Sequence, residues 1–142
     1  MSQSTTSKPS GPKTMGLNHL GLTVRDLDQT TAFFIDVLGW EEIARDPNYP
    51  RTTVTDGALR LTLWQVQTDA PVPFDRKSAL GLHHLALQVS DEVTLQNLAK
   101  TLAVTPDVKI EFTPEPMGAG PRQHMMFAEP GGLRIELLWA GD

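Results

Sequence analysis

Apolar and polar residues alternate along residues 17–24, the pattern of a strand with one buried face. Asp26 or Asp28 then offers a helix cap. Thr30, Ala32, Phe33, Phe34, Val37 and Leu38 follow at three-to-four spacing, which predicts an amphipathic helix. Gly39 suits a left-handed helix end. Residues 40–44 read as a strand, Asp46-Pro47-Asn48-Tyr49-Pro50 as a turn, and residues 51–55 and 59–66 as two strands around an Asp56-Gly57 hairpin signal. The order is βαβββ.

The order then recurs. Residues 82–89 alternate, and Ser90-Asp91 precedes a helical stretch with Val93, Leu95, Leu98 and Leu102 on one face. Residues 108–112 predict a strand and residues 113–121 a Pro/Gly-rich loop, a candidate lid or pocket wall. Strands over residues 123–128 and 133–139 flank Pro130-Gly131-Gly132. The recurrence extends to the residues themselves. Asn18-His19-Leu20-Gly21-Leu22-Thr23-Val24 returns as His83-His84-Leu85-Ala86-Leu87-Gln88-Val89, and residues 57–64 match residues 131–138. A repeat fixes which positions are equivalent: His19 with His84, and Thr62 with Glu136. The expected organisation is a flexible tail over residues 1–15, a first βαβββ module over residues 16–68, a linker over residues 69–80 and a second module over residues 81–142. The fold class is α+β, with two sheets side by side forming a curved, incomplete barrel around a cleft.

Composition narrows the function classes. The chain has 142 residues, a formal net charge of −5 and no run of Lys or Arg, so it has no electrostatic footprint for nucleic acid. No apolar stretch reaches the length of a membrane span, and the Ser/Thr/Pro/Lys-rich N-terminus lacks the apolar segment of a secretory signal. The absence of Cys removes disulfides and thiolate chemistry and suits the cytoplasm.

Two imidazoles and one carboxylate on equivalent strands can converge on a metal ion. Strand alternation adds neighbours to this set. Trp64 shares a face with Thr62 and is a candidate pocket wall. His124 and Met126 lie together on the penultimate strand, beside the strand of Glu136. His124 is a candidate proton carrier and Arg122 a candidate holder of an anionic group. His83 is expected to point to the opposite face and to be structural.

The chain resembles the vicinal oxygen chelate superfamily, which includes glyoxalase I, methylmalonyl-CoA epimerase, extradiol dioxygenases, fosfomycin-resistance enzymes and bleomycin-resistance binding proteins. The stretches that carry the resemblance are residues 18–27, Ala32-Phe33-Phe34-Ile35-Asp36-Val37-Leu38-Gly39-Trp40 and residues 127–137. The resemblance implies metal ligands on the first and last strands of each module, here His19, His84 and Glu136. Thr62 occupies the fourth place and leaves open positions for water or substrate. Such a set suits Fe, Mn, Ni, Co or Zn as the divalent ion.

The expected function is therefore a metal-dependent lyase or isomerase of glyoxalase type. It would act on a small carbonyl or hydroxy-carbonyl metabolite, with Glu136 or His124 moving the proton and Thr62, Trp64, Arg122 and Met126 contacting substrate. One alternative is an Fe(II) ring-cleaving dioxygenase, although Met126 stands where the resemblance implies a Tyr. Another is a non-catalytic drug-binding protein. A homodimer is the expected assembly, with the cleft formed either within one chain or by exchange of modules.

Overall fold

A computed structural model describes residues 10–142. Residues 1–9 of the expected tail lie outside the described residues, and residues 10–15 are exposed, without helix or strand.

Four strands and a helix form the first half: β1 (Leu20–Val24), α1 (Leu27–Asp36), β2 (Glu41–Asp46), β3 (Arg51–Thr55) and β4 (Arg60–Gln65). The second half repeats them as β5 (Leu85–Val89), α2 (Glu92–Ala103), β6 (Lys109–Pro116), β7 (Gln123–Ala128) and β8 (Arg134–Trp139). Each half is a mixed sheet, in the orders β1-β4-β3-β2 and β5-β8-β7-β6, and the sheets are not joined into a closed barrel.

The repeat holds at the level of register. Gly21 lies opposite Thr62 in the parallel β1–β4 pair, and Ala86 lies opposite Glu136 in the parallel β5–β8 pair. Thr62 then faces Thr53, as Glu136 faces Met126.

Local chemistry sets the helix ends. The Asp26 carboxylate accepts from the Gln29 N–H and the Asp91 carboxylate from the Thr94 N–H, each pairing a donor that a helix start leaves unsatisfied. Gly39 takes a φ of 74°, and the Trp40 N–H reaches back to the Phe34 carbonyl at 2.9 Å to close α1.

One expected loop is a strand. Residues 113–116 belong to β6, whose pairing with β7 runs on to Pro116 opposite Gln123. Pro114 and Pro116 would break a central strand, but β6 is the sheet edge, where a missing N–H costs no ladder bond. The remaining connection is tight, with the Met117 N–H bonded to the Arg122 carbonyl at 2.9 Å.

One core serves both halves. Phe33, Phe34, Val54, Leu61 and Leu63 from the first pack in the same cluster as Leu85, Leu87, Leu95, Leu102, Met125, Phe127, Ile135 and Leu137 from the second. Burying each such side chain contributes about 1.5–3 kcal/mol. Phe33 meets Phe127 across the boundary, with ring centroids 5.8 Å apart.

Beside this contact sits a polar clamp. Glu129, 2% exposed, accepts from the Thr30 hydroxyl of α1 at 3.0 Å and from the Leu133 N–H at 3.0 Å. A Cβ at Gly131 would stand 2.7 Å from Glu129 Oε1 and 2.8 Å from Thr30 Oγ1, so this turn accepts only glycine without displacing the clamp. No helix among the described residues is long and apolar enough to cross a membrane.

Candidate metal centre and adjoining clefts

His84 stands immediately before β5, diagonal to Glu136 on the neighbouring β8. Its Nε2 lies 3.8 Å from Glu136 Oε1. The other carboxylate oxygen, Oε2, lies 2.7 Å from His124 Nδ1. Glu136 is 6% exposed, so the carboxylate is a largely desolvated acceptor between two imidazoles.

The hydrogen bonds around His83 settle which nitrogen of His84 is free. Arg134 has only donors, and one of its guanidinium nitrogens lies 3.2 Å from His83 Nδ1, which must therefore accept. That same Nδ1 lies 2.7 Å from His84 Nδ1, which must then donate. As a neutral ring with its proton on Nδ1, His84 turns the lone pair of Nε2 toward Glu136. Two acceptors facing each other across 3.8 Å favour a cation between them. Metal bonds to imidazole nitrogen and carboxylate oxygen, each about 2.0–2.2 Å, span such a gap. The pair fits a divalent ion, and its outer hydrogen bonds are of the kind that orient metal-ligating histidines.

Arg134 is itself held by Glu111, through bonds of 2.9 and 2.5 Å. These bonds, above all others, keep the Glu111 carboxyl below its ordinary pKa and raise that of Arg134. Desolvation, followed by the nearby Arg134 and His84, pushes the His83 imidazole below its ordinary value. A neutral His83 is what its acceptor role demands.

The third expected ligand does not join. His19 precedes β1 on the other sheet, is exposed, and pairs its ring with the Asn18 side chain at 2.8 Å. Among the described residues no group of three or more His, Asp or Glu side chains is placed to hold a metal. Within one chain, then, His19, His84 and Glu136 do not converge. The reason lies in the packing. The shared core sits against one face of each sheet, and the residues flanking the ligands, Gly21 and Thr23 in one half and Ala86 and Gln88 in the other, are exposed.

The remaining candidates distribute between the halves. Met126 is buried directly opposite Glu136, and Phe112 packs on His124 with ring centroids 4.9 Å apart. Arg122 is exposed just before β7, and its side chain makes no hydrogen bond or ion pair among the described residues. In the first half Thr62 is buried, 3.5 Å from the Thr53 hydroxyl. Trp64 meets Tyr49 edge to face at 4.7 Å, with the Arg51 guanidinium 5.6 Å from its ring centre.

Two of these neighbours were not expected from sequence. His83 was assigned to the far face by strand alternation, but β5 begins only at Leu85, and before a strand begins alternation does not govern direction. Arg51 was missed, although the repeat register makes it the counterpart of His124.

A family model described as the Glyoxalase/Bleomycin resistance protein/Dioxygenase superfamily matches residues 16–137. A protein named 2-epi-5-epi-valiolone epimerase, from Actinomyces sp, is 29% identical over 150 residues, covering 89% of this chain and 80% of that protein. Among solved structures, a glyoxylase/bleomycin resistance protein/dioxygenase domain from Frankia sp. EAN1pec superposes with a TM-score of 0.77 at 23% identity, covering 91% of this chain and 93% of that one. Lactoylglutathione lyase from Agrobacterium tumefaciens gives 0.68 at 18% identity, covering 91% and 96%. At these identities the structural likeness speaks to the fold alone.

Proposed function

Because the chain belongs to the glyoxalase/bleomycin resistance protein/dioxygenase superfamily, we propose that it is a metal-dependent lyase or isomerase acting on a small carbonyl or hydroxy-carbonyl metabolite. The observation that carries this reading is the facing pair of acceptors, His84 Nε2 and Glu136 Oε1, backed by His124 on the other carboxylate oxygen. His84 and Glu136 would hold the ion, and His19 would come from a second copy of the chain. A divalent ion held there would supply Lewis acidity, polarising a carbonyl oxygen and acidifying the neighbouring C–H.

The chain's own residues then move the proton. His124 donates through Nδ1 to Glu136, so its Nε2 is the free base. It takes the proton from carbon while the C–H electron pair passes into the carbonyl system of the substrate. The Glu136 carboxylate stabilises the imidazolium so formed. Return of the proton to carbon completes an isomerisation with no oxidant or reductant consumed. Phe112 and Met126 line this base with apolar surface. The relative named an epimerase supports this class, since inverting a carbon centre needs the same removal and return of a proton. The dioxygenase reading is weaker, because Met126 offers no hydroxyl at its place on β7.

The test is elemental analysis of protein purified without chelator or affinity metal, beside His84→Ala. The expected result is about one divalent ion per chain, lost in the variant, as for a site with few protein ligands. Protein that carries no metal and takes up none of Mn, Fe, Co, Ni or Zn overturns the proposal.

A further inference from the structure

The open face of the first sheet carries a cleft of its own, lined by Gly21, Thr23, Asp46, Tyr49, Arg51 and Trp64. Its polar edge is rich in donors. The Trp64 indole N–H is a donor only, and no hydrogen bond engages it among the described residues. Its Nε1 lies beside Gly21, which has no side chain to set against it; a Cβ there would stand 3.6 Å away, in contact with the indole.

Arg51 adds a charge that forms no ion pair among the described residues. Asp46 stands opposite Arg51 in the β2–β3 register, yet forms no ion pair with it. The Asp46 carboxylate is instead occupied by the Asn48 N–H at 2.9 Å, which shapes the turn. The guanidinium is drawn over Trp64, and Tyr49 stands edge-on to the same ring. A planar fork of donors beside an aromatic wall matches a carboxylate carried on a ring or flat carbon frame.

The repeat adds a second argument. Arg51 pairs with Trp64 as His124 pairs with Leu138, so the same place in the two sheets holds an anion binder in one and a base in the other. A site assembled from both faces would grip the substrate from one half and react it from the other.

We infer that the Tyr49–Arg51–Trp64 cleft is a carboxylate-binding subsite, and that the substrate is an organic acid with a ring or planar skeleton. This rests on the function proposed above for its meaning, but the binding itself needs no metal. The test can therefore be run on chelator-treated full-length protein. Indole N–H signals are followed by nitrogen–proton correlation NMR, with the Trp64 signal assigned by Trp64→Phe. Sodium benzoate is the probe, because it lacks the hydroxyl oxygen of a chelating hydroxy acid, and benzamide is its neutral match.

Benzoate should shift the Trp64 signal saturably, whereas benzamide should not. Arg51→Gln should weaken benzoate at least tenfold, Arg51→Lys should recover part of it, and Lys100→Gln, at an exposed position of α2, should leave it unchanged. The spectrum itself reports whether each variant is folded. Equal response to benzamide, to inorganic phosphate, or in Arg51→Gln overturns the inference, as does no response to benzoate. Metal uptake by Arg51→Gln equal to that of the parent separates this failure from failure of the metal reading.

Discussion

His83 and His84 share one proton between their Nδ1 atoms, 2.7 Å apart, and Arg134 decides that His84 supplies it. A residue outside the proposed coordination shell thereby sets the tautomer of a ligand within it. His83→Phe keeps a ring beside His84 but removes the acceptor. Metal affinity should fall about 10–100-fold, the usual cost of losing an outer hydrogen-bond partner. Titration with Co(II) against a competing chelator measures it, and unchanged affinity would show that His83 does not orient its neighbour.

A site divided between two copies can be rebuilt from two damaged ones. His19→Ala and Glu136→Ala should each fail to retain metal. Mixed, unfolded and refolded together, about half of their dimers should be mixed, each with one intact site, and the sample should recover about a quarter of the parent's metal. Recovery of none, with mixed dimers demonstrated by native mass spectrometry, would place His19 outside the site.

The clamp between the halves should be expensive to lose. Glu129→Ala strips partners from the buried Thr30 hydroxyl and the Leu133 N–H, at about 1–3 kcal/mol for each donor left bare. Gly131→Ala should cost about 1–3 kcal/mol by overpacking, since its Cβ meets two clamp oxygens below 3 Å. Gly21→Ala, where the nearest atom would be 3.6 Å away, should change stability little. Thermal unfolding reads all three, at about 2–4 °C per kcal/mol for a chain of this size.

Acid should weaken the Glu111–Arg134 link in a defined direction. Glu111 is held below its ordinary pKa chiefly by the Arg134 hydrogen bonds. The folded state therefore binds this proton less readily than the unfolded one. The resulting stabilisation is complete above the ordinary carboxylate range and is lost as pH falls through the folded value. Urea unfolding of Glu111→Gln should show a shallower loss of stability below that range than the parent. Identical acid limbs would remove Glu111 from the account.

Much of this was legible in the chain because it depends on local rules. The Asp26 and Asp91 caps, Gly39 and the Asp56-Gly57 hairpin follow from backbone chemistry, and the repeat set His84 and Glu136, together with His19, among the residues expected to converge. Residues 113–116 were misread because Pro argues against a strand until the strand is known to be an edge. The separation of His19 was left open because periodicity places a residue on a face but not which way two faces turn. That orientation is set by Phe33 against Phe127 and by Thr30 on Glu129, contacts nearly a hundred positions apart in sequence. Arg51 was passed over because its significance lies in a pairing that Asp46 declines, visible only in three dimensions.

The matched registers of β1–β4 and β5–β8 have one more consequence. Each half is an internal control for the other. The same backbone frame presents Thr62 in one and Glu136 in the other, Arg51 in one and His124 in the other. Whatever belongs to the frame must appear in both halves, and whatever appears in one alone belongs to the side chains. Exchanging residues between matched places, Thr62→Glu first, would ask the protein how much of its chemistry is scaffold and how much is decoration.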